Sequence, residues 1–280
     1  MYQKILSAVN EHFNSEVAAR YALSLARTCG AKLHLLFVAE RSLSRSDRES
    51  AEEAMKRLFL EAERSDVPVE RIVETGDPLQ QIGAVAREKE IQLVFASTRR
   101  EDVEKRFYVG TLARNLSVRL PCSVALVRVV RTGHLHPTRI LVPLKARMDH
   151  VEERAFFLAK MAEAFHSHVF LFHTPKPVAK LFHGPVHLAP WEWEKRLPKD
   201  IAEFMESMRK HQVAVEGRFM PGGVGRSITV EAAAKRHDLI VMGASRRSLW
   251  ASFLKGNPVE EVLRETPCDL IIFNPKHEDQ

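Results

Sequence analysis

No apolar run in this chain approaches the roughly 20 residues that a helix needs to cross a bilayer, so no membrane insertion is expected. Cysteine is scarce. Cys29, Cys122 and Cys268 make an odd three with no CxxC spacing, which excludes a disulfide framework and fits a reducing compartment. Low-complexity tracts are absent, and so is the G-x-S-x-G nucleophile elbow. The opening residues MYQKILSAVNEHF lack the basic-then-apolar layout of a secretory signal and read as a first strand, so a cytoplasmic protein is expected. Neither sign of charge dominates. A formal charge of +6 permits acidic partners without pointing to nucleic acid. What is present is ordinary globular composition, 45% hydrophobic and 28% charged over 280 residues. That length suits two domains of about 140 residues, each able to bury its own core.

A duplication runs through the chain. Pro121-Cys122 recurs 146 residues on as Pro267-Cys268. In the same frame Gly76 falls on Gly222, Ile82 on Ile228, Ala86 on Ala232, Arg100 on Arg246 and Gly110 on Gly256. Nearer the N-terminus KILSAVN from Lys4 matches RILVPLK from Arg139, so the second copy has gained residues in between. Two copies make a duplicated domain and not a solenoid. The first copy is read as residues 1–130, the linker as 131–137 (RTGHLHP) and the second copy as 138–280.

Within the first copy strand and helix alternate. ILSAV, LHLLFV, RIVET, QLVFAS and SVALVRVV read as strands. Between them SEVAARYALSLARTCG, the charged stretch from about Ser46 to Ser65, PLQQIGAVAREK and TLARNLSVRL read as helices. Strands that are apolar throughout, separated by amphipathic helices, indicate a parallel sheet covered on both faces. The expected fold is α/β: two doubly wound five-stranded parallel-sheet domains, each with a ligand crevice beyond the carboxyl ends of its strands.

The segments KILSAVNEHFNSEVAARYALSLARTCGAKLHLLFV, TGDPLQQIGAVAREKEIQLVFAS and LPCSVALVRV, with RILVPL, HDLIVMGAS and TPCDLIIF in the second copy, resemble the universal stress protein domain. The resemblance covers nearly the whole chain and implies a tandem member with an adenine nucleotide alpha hydrolase-like fold in strand order 3-2-1-4-5. It also implies pairing through the fifth strands, made here within one chain as an intramolecular pseudo-dimer of SVALVRVV with DLIIFN. A homodimer of whole chains is a further option.

The resemblance also implies positions for an adenine nucleotide such as ATP. The family's acidic residue at the end of strand one falls on Asn10 and on Lys145, neither a carboxylate. Val38, at the end of strand two, belongs to the same candidate site. The family's loop after strand four (glycine, two residues, glycine, nine residues, then glycine and a hydroxyl residue) falls on Ser97, Arg100, Gly110 and Thr111 in the first copy. In the second it falls on Gly243, Arg246, Gly256 and Asn257. The spacing is kept and the chemistry is partly lost. Glycine lets backbone N–H groups approach a phosphate, whereas arginine puts a side chain there, which either fills the space or offers a guanidinium fork to the anion.

Other signals point to structure. MPGGVGRSITV (220–230) has Met220 where a Walker loop needs its first glycine and Arg226 where it needs lysine, and it aligns with the turn TGDPLQQI. His134 with His136, and His166 with His168, supply pairs but no third ligand, so no metal is expected. Asp77 and Asp238 read as capping residues. The proline- and aromatic-rich insertion near 175–198 follows strand two on the ligand side and reads either as a lid or a surface for a protein partner, or as a structural cover in which Trp191 and Trp193 pack over the adjacent sheet end or helices. The expectation is a stress-response or regulatory binding protein with degenerate nucleotide loops, no firm cofactor and no catalytic residue. The alternative is an adenine-nucleotide binder that uses Arg100 or Arg246 for phosphate contact, with slow hydrolysis.

Overall fold

A computed structural model describes residues 1–98, 112–131, 136–174, 197–219, 224–243 and 258–276. In the first half β1 (Lys4–Val9), β2 (Lys32–Ala39), β3 (Val69–Thr75), β4 (Leu93–Ser97) and β5 (Ser123–Arg128) alternate with helices. These are α1 (Phe13–Cys29), α2 (Arg45–Arg64), α3 (Pro78–Glu88) and α4 (Leu112–Arg119). The second half continues with β6 (Arg139–Pro143), α5 (Val151–Phe165), β7 (His168–His173), α6 (Lys199–Lys210) and β8 (Val215–Phe219). It closes with α7 (Val224–Ala234), β9 (Leu239–Gly243), α8 (Pro258–Glu265) and β10 (Asp269–Asn274).

Local chemistry sets the helix ends. Gly30 adopts φ 63° behind α1, a left-handed cap that glycine takes without strain, and its N–H reaches the carbonyls of Ala26 and Arg27. Ser44 accepts from the Asp47 N–H ahead of α2 at 3.1 Å. Asp77 does the same for Gln80 at 2.9 Å ahead of α3, with Pro78 in the first turn.

Among the described residues ten strands join one sheet in the order β3-β2-β1-β4-β5-β10-β9-β6-β7-β8. Each half is parallel within itself and has the expected order 3-2-1-4-5. The halves meet where β5 runs antiparallel to β10, with Ile271 opposite Val127. Two core layers cover the faces, and each draws on both halves. One lies under α1, α2, α5 and α6 and contains Leu25, Leu58, Phe157, Phe204 and Phe273. The other lies under α3, α4, α7 and α8 and contains Ile82, Leu116, Ile228 and Val262. All six residues of β10 are buried, as a central strand covered on both faces requires. The edge strand β3 alternates instead, and its Glu70, Arg71 and Glu74 discourage edge-to-edge pairing.

The seam carries directional contacts as well. Tyr21 on α1 donates to the Asp269 carboxylate at 3.0 Å. Tyr2 and Ser123 donate to Glu153 on α5 at 2.9 and 2.5 Å. Phe157 stacks flat on Phe273 with ring centroids 4.2 Å apart and touches Phe95 of the first half at 6.2 Å. Strand five was expected to run through Val130 but ends at Arg128. The Asp269 carboxylate captures the N–H groups of Val130 and Arg131 at 2.8 and 3.0 Å, which takes them out of the ladder. Strand three begins two residues earlier than expected, because Val69 already pairs with Leu33 of β2.

Candidate functional site

In a doubly wound sheet the ligand crevice opens where the chain reverses its direction of winding. Here that point lies between β1 and β4 in the first half, and between β6 and β9 in the second. The carboxyl ends of β1, β2 and β4, with the first turns of α3 and α4, enclose a cleft of about 620 Å³, part of it open to solvent. Three sequence-predicted residues meet in its lining: Asn10, Val38 and Ser97. The floor and walls are apolar, built by Leu36, Leu43, Ile82, Leu112 and Leu116.

Asn10 also shapes the chain. Its side-chain oxygen accepts from the His12 N–H at 3.0 Å, and its own N–H donates to Ser15 Oγ at 3.0 Å. This Asx-type turn passes the chain from β1 into α1, so an asparagine here keeps the turn without a carboxylate. Two carboxylates reach the same cleft from neighbouring positions, Glu11 and Glu40. Glu11 is paired with His12 Nε2 at 3.1 Å and has a side chain 16% exposed. Sequence reasoning missed both residues. The available signal was their place immediately beyond the last apolar residues of strands one and two. Among the described residues lining the cleft there is no lysine or arginine.

The second half differs. Lys145 holds the position of Asn10 beyond β6, and Gly243 holds that of Ser97 at the end of β9. The space beside Gly243 is taken by the guanidinium of Arg154, which a Cβ at this glycine would strike. Arg154 Nε donates to the Asp149 carbonyl at 2.7 Å and Nη1 to the Phe273 carbonyl at 3.2 Å, spanning the ends of β9 and β10. When α1 and α5 are aligned on their left-handed caps, Gly30 and His166, the place of Arg154 is held by the fully buried Ala18. Burial pushes the Arg154 guanidinium down to about 10. Burial, then repulsion from Arg154, lowers Lys145. Arg154 too was missed, because nothing in its spacing marks it and only the packing against Gly243 gives it a role.

Arg100, Gly110, Thr111, Arg246, Gly256, Asn257 and most of the 175–198 insertion lie outside the described residues. The thiols of Cys122 and Cys268 are buried and pushed up to about 12, which keeps them protonated and unreactive. His136 packs edge-on against Phe165. No group of three His, Cys, Asp or Glu among the described residues could hold a metal ion, and no described helix is long and apolar enough to cross a membrane.

The universal stress protein family model matches residues 1–128 and again residues 137–274. No match is found among curated proteins. Among solved structures, a universal stress protein from Archaeoglobus fulgidus DSM 4304 superposes with a TM-score of 0.67 at 15% identity, covering 99% of this chain and 97% of the other. A functionally unknown protein from Pseudomonas aeruginosa PAO1 gives 0.60 at 17% identity, covering 98% and 93%. A universal stress protein solved in complex with cAMP matches 47% of this chain and 99% of its own length, with a TM-score of 0.37 at 16% identity. Two family matches in one chain, on one sheet of two 3-2-1-4-5 halves, make this chain a member of the universal stress protein family with two of its domains in tandem.

Proposed function

We propose that this chain is a cytoplasmic stress-response or regulatory binding protein, acting by binding and not by catalysis, whose first-half cleft takes the nucleoside portion of an adenine-type ligand. The two domains are taken as residues 1–130 and 138–280, joined by 131–137. The observation that carries the reading is the apolar cleft at the switch point, lined by Asn10, Val38 and Ser97. Such a cavity suits a flat, largely apolar base with a few polar anchors. Glu11 and Glu40 favour hydroxyl and amine donors and oppose phosphates, in line with nucleotide loops whose glycines are partly replaced. The 175–198 insertion is assigned to a protein partner, and pairing of whole chains is left to the exposed surfaces.

Calorimetry of the full chain with adenosine, AMP, ADP and ATP, with and without Mg²⁺, tests this. Adenosine and AMP are expected to bind at least as well as ATP, and Ser97→Trp, which fills the cleft, to abolish binding. ATP binding tighter than about 10 µM, roughly 7 kcal/mol, and well above adenosine would overturn the weak phosphate grip. Absence of binding by all four at millimolar concentration would remove the adenine reading.

A further inference from the structure

We propose that His34 is a proton switch for the outer edge of the first half: when its imidazole takes up a proton, β3 is released from β2. His34 lies on β2 with its side chain 3% exposed. It stands opposite Glu70 of β3 in the ladder, and its Nε2 is 3.6 Å from the Glu70 carboxylate. The edge strand therefore helps to cover the ring, and its departure brings water there. β3 is also weakly held. It is bonded to β2 alone and none of its residues is fully buried, whereas β2 is buried along most of its length. Strands with few buried contacts open at lower free energy than central ones.

The charges around the ring oppose its protonation. Lys32, two residues earlier on β2, and Lys89, at the end of α3, hold the two oxygens of Glu70 at 2.5 and 3.2 Å. Lys4 lies beside Lys32 on β1 with its ammonium on Glu90 at 3.0 Å, and Glu88 is 3.7 Å from Lys89. Glu70 is thus already shared by two lysines, and a protonated His34 would be a third cation beside it. Burial holds the imidazole below its ordinary value of 6.5, and Lys32 and Lys89 add to this against the pull of Glu70 and the Ile5 carbonyl. Hydrogen bonds from Lys32 and Lys89 hold Glu70 down to about 2, so it stays charged while the histidine titrates.

Histidine is the side chain whose ordinary charge change falls between about pH 5 and 8. With β3 open the ring meets water and takes its proton at about 6.5, whereas the closed edge resists it. The open state binds more protons, so closure weakens as pH falls through 6.5 towards the lower value of the closed state. Neutral pH keeps the edge shut. The second half has a different residue at this place. Phe170 of β7 stands opposite Glu216 of β8 as His34 stands opposite Glu70. Phe170 is 3% exposed, so this ladder position accepts a ring that cannot take a proton.

The test is hydrogen exchange of the full chain between about pH 7.5 and 5.5, read by peptide mass spectrometry and corrected for intrinsic exchange rates. Protection of β3 should fall below pH 6.5 by up to about tenfold per pH unit, the limit for one proton. The central strand β10 should keep its protection. His34→Phe, which installs the second half's own residue, and His34→Gln should each abolish the fall. In the native chain the His34 ring, followed by NMR, should be neutral at pH 6.5, where an exposed histidine is about half protonated. This measurement needs no variant and stands even where neither variant folds. Protection of β3 that is unchanged down to pH 5.5, that falls equally in both variants, or that falls together with β10 would overturn the proposal. So would a His34 ring half protonated at pH 6.5 while β3 is closed.

Discussion

Phe157 offers the sharpest test of how the two halves are joined. Its ring is fully buried, lies flat on Phe273 of β10 at 4.2 Å and reaches Phe95 of β4 in the other half. Phe157→Ala removes a ring that neighbours from both halves hold in place, so the site cannot collapse freely. Truncations of this kind cost about 3–5 kcal/mol, and loss of two aromatic contacts places this one at about 4 kcal/mol or above. For a chain of this size about 2 °C accompanies each kcal/mol, so the melting temperature should fall by roughly 8 °C. Hydrogen exchange read by peptide mass spectrometry follows each half separately, whereas far-UV circular dichroism follows both. If the continuous sheet and shared cores make one cooperative unit, both probes shift together in Phe157→Ala. A single unit is refuted if only the exchange transition of the second half moves while part of the dichroism signal melts at the wild-type temperature. That result would make the halves independent and the seam a mere contact.

Four further outcomes follow from the same structure. Tyr21→Phe removes the donor to Asp269 across the seam and should cost about 1–3 kcal/mol in chemical denaturation. Because burial raises Tyr2 and Tyr21 above the ordinary value of 10.0, stability should be lost as pH rises past that value, where only the unfolded chain ionises them; absorbance at alkaline pH should show both titrating with unfolding and not before. Hydrogen bonds from Lys32 and Lys89 lower Glu70 from 4.5 to about 2, so its contribution is present above pH 4.5 and lost as pH falls towards 2. With its partners partly in solvent that contribution is about 1 kcal/mol, and Glu70→Gln should cost this much at pH 7 and nothing at pH 2. Finally, Cys29 is pushed up to about 11 and Cys122 and Cys268 to about 12. Thiol reagent at pH 8 should therefore label the native chain slowly and the unfolded chain at all three sites.

Much of the fold could be read directly from residue order. Apolar strands such as LHLLFV, the Asp77 cap and the helix end at Gly30, and the recurrence of Pro-Cys are local or periodic signals, and a parallel sheet covered on both faces leaves few other ways to satisfy them. The pairing of β5 with β10 followed from the family resemblance. Where β5 ends did not, because that depends on Asp269 reaching back to two backbone N–H groups 138 and 139 residues away. The same division holds at the crevices. Asn10, Val38 and Ser97 were implied by the family resemblance, and each sits at a strand end that the topology gathers to one point. Glu11 and Glu40 gain their meaning only from sharing one cleft.

The sequence by itself determined the duplication, the two doubly wound halves and the strand ends where ligands belong, since these depend on periodicity and order along the chain. Only the tertiary structure brought Glu11 and Glu40 into one cleft in the first half and set Arg154 against Gly243 in the second. Whether Arg154 meets Gly243, and what lies near Lys145, depends on how a helix packs over the ends of strands far away in sequence, and no local pattern encodes that distance.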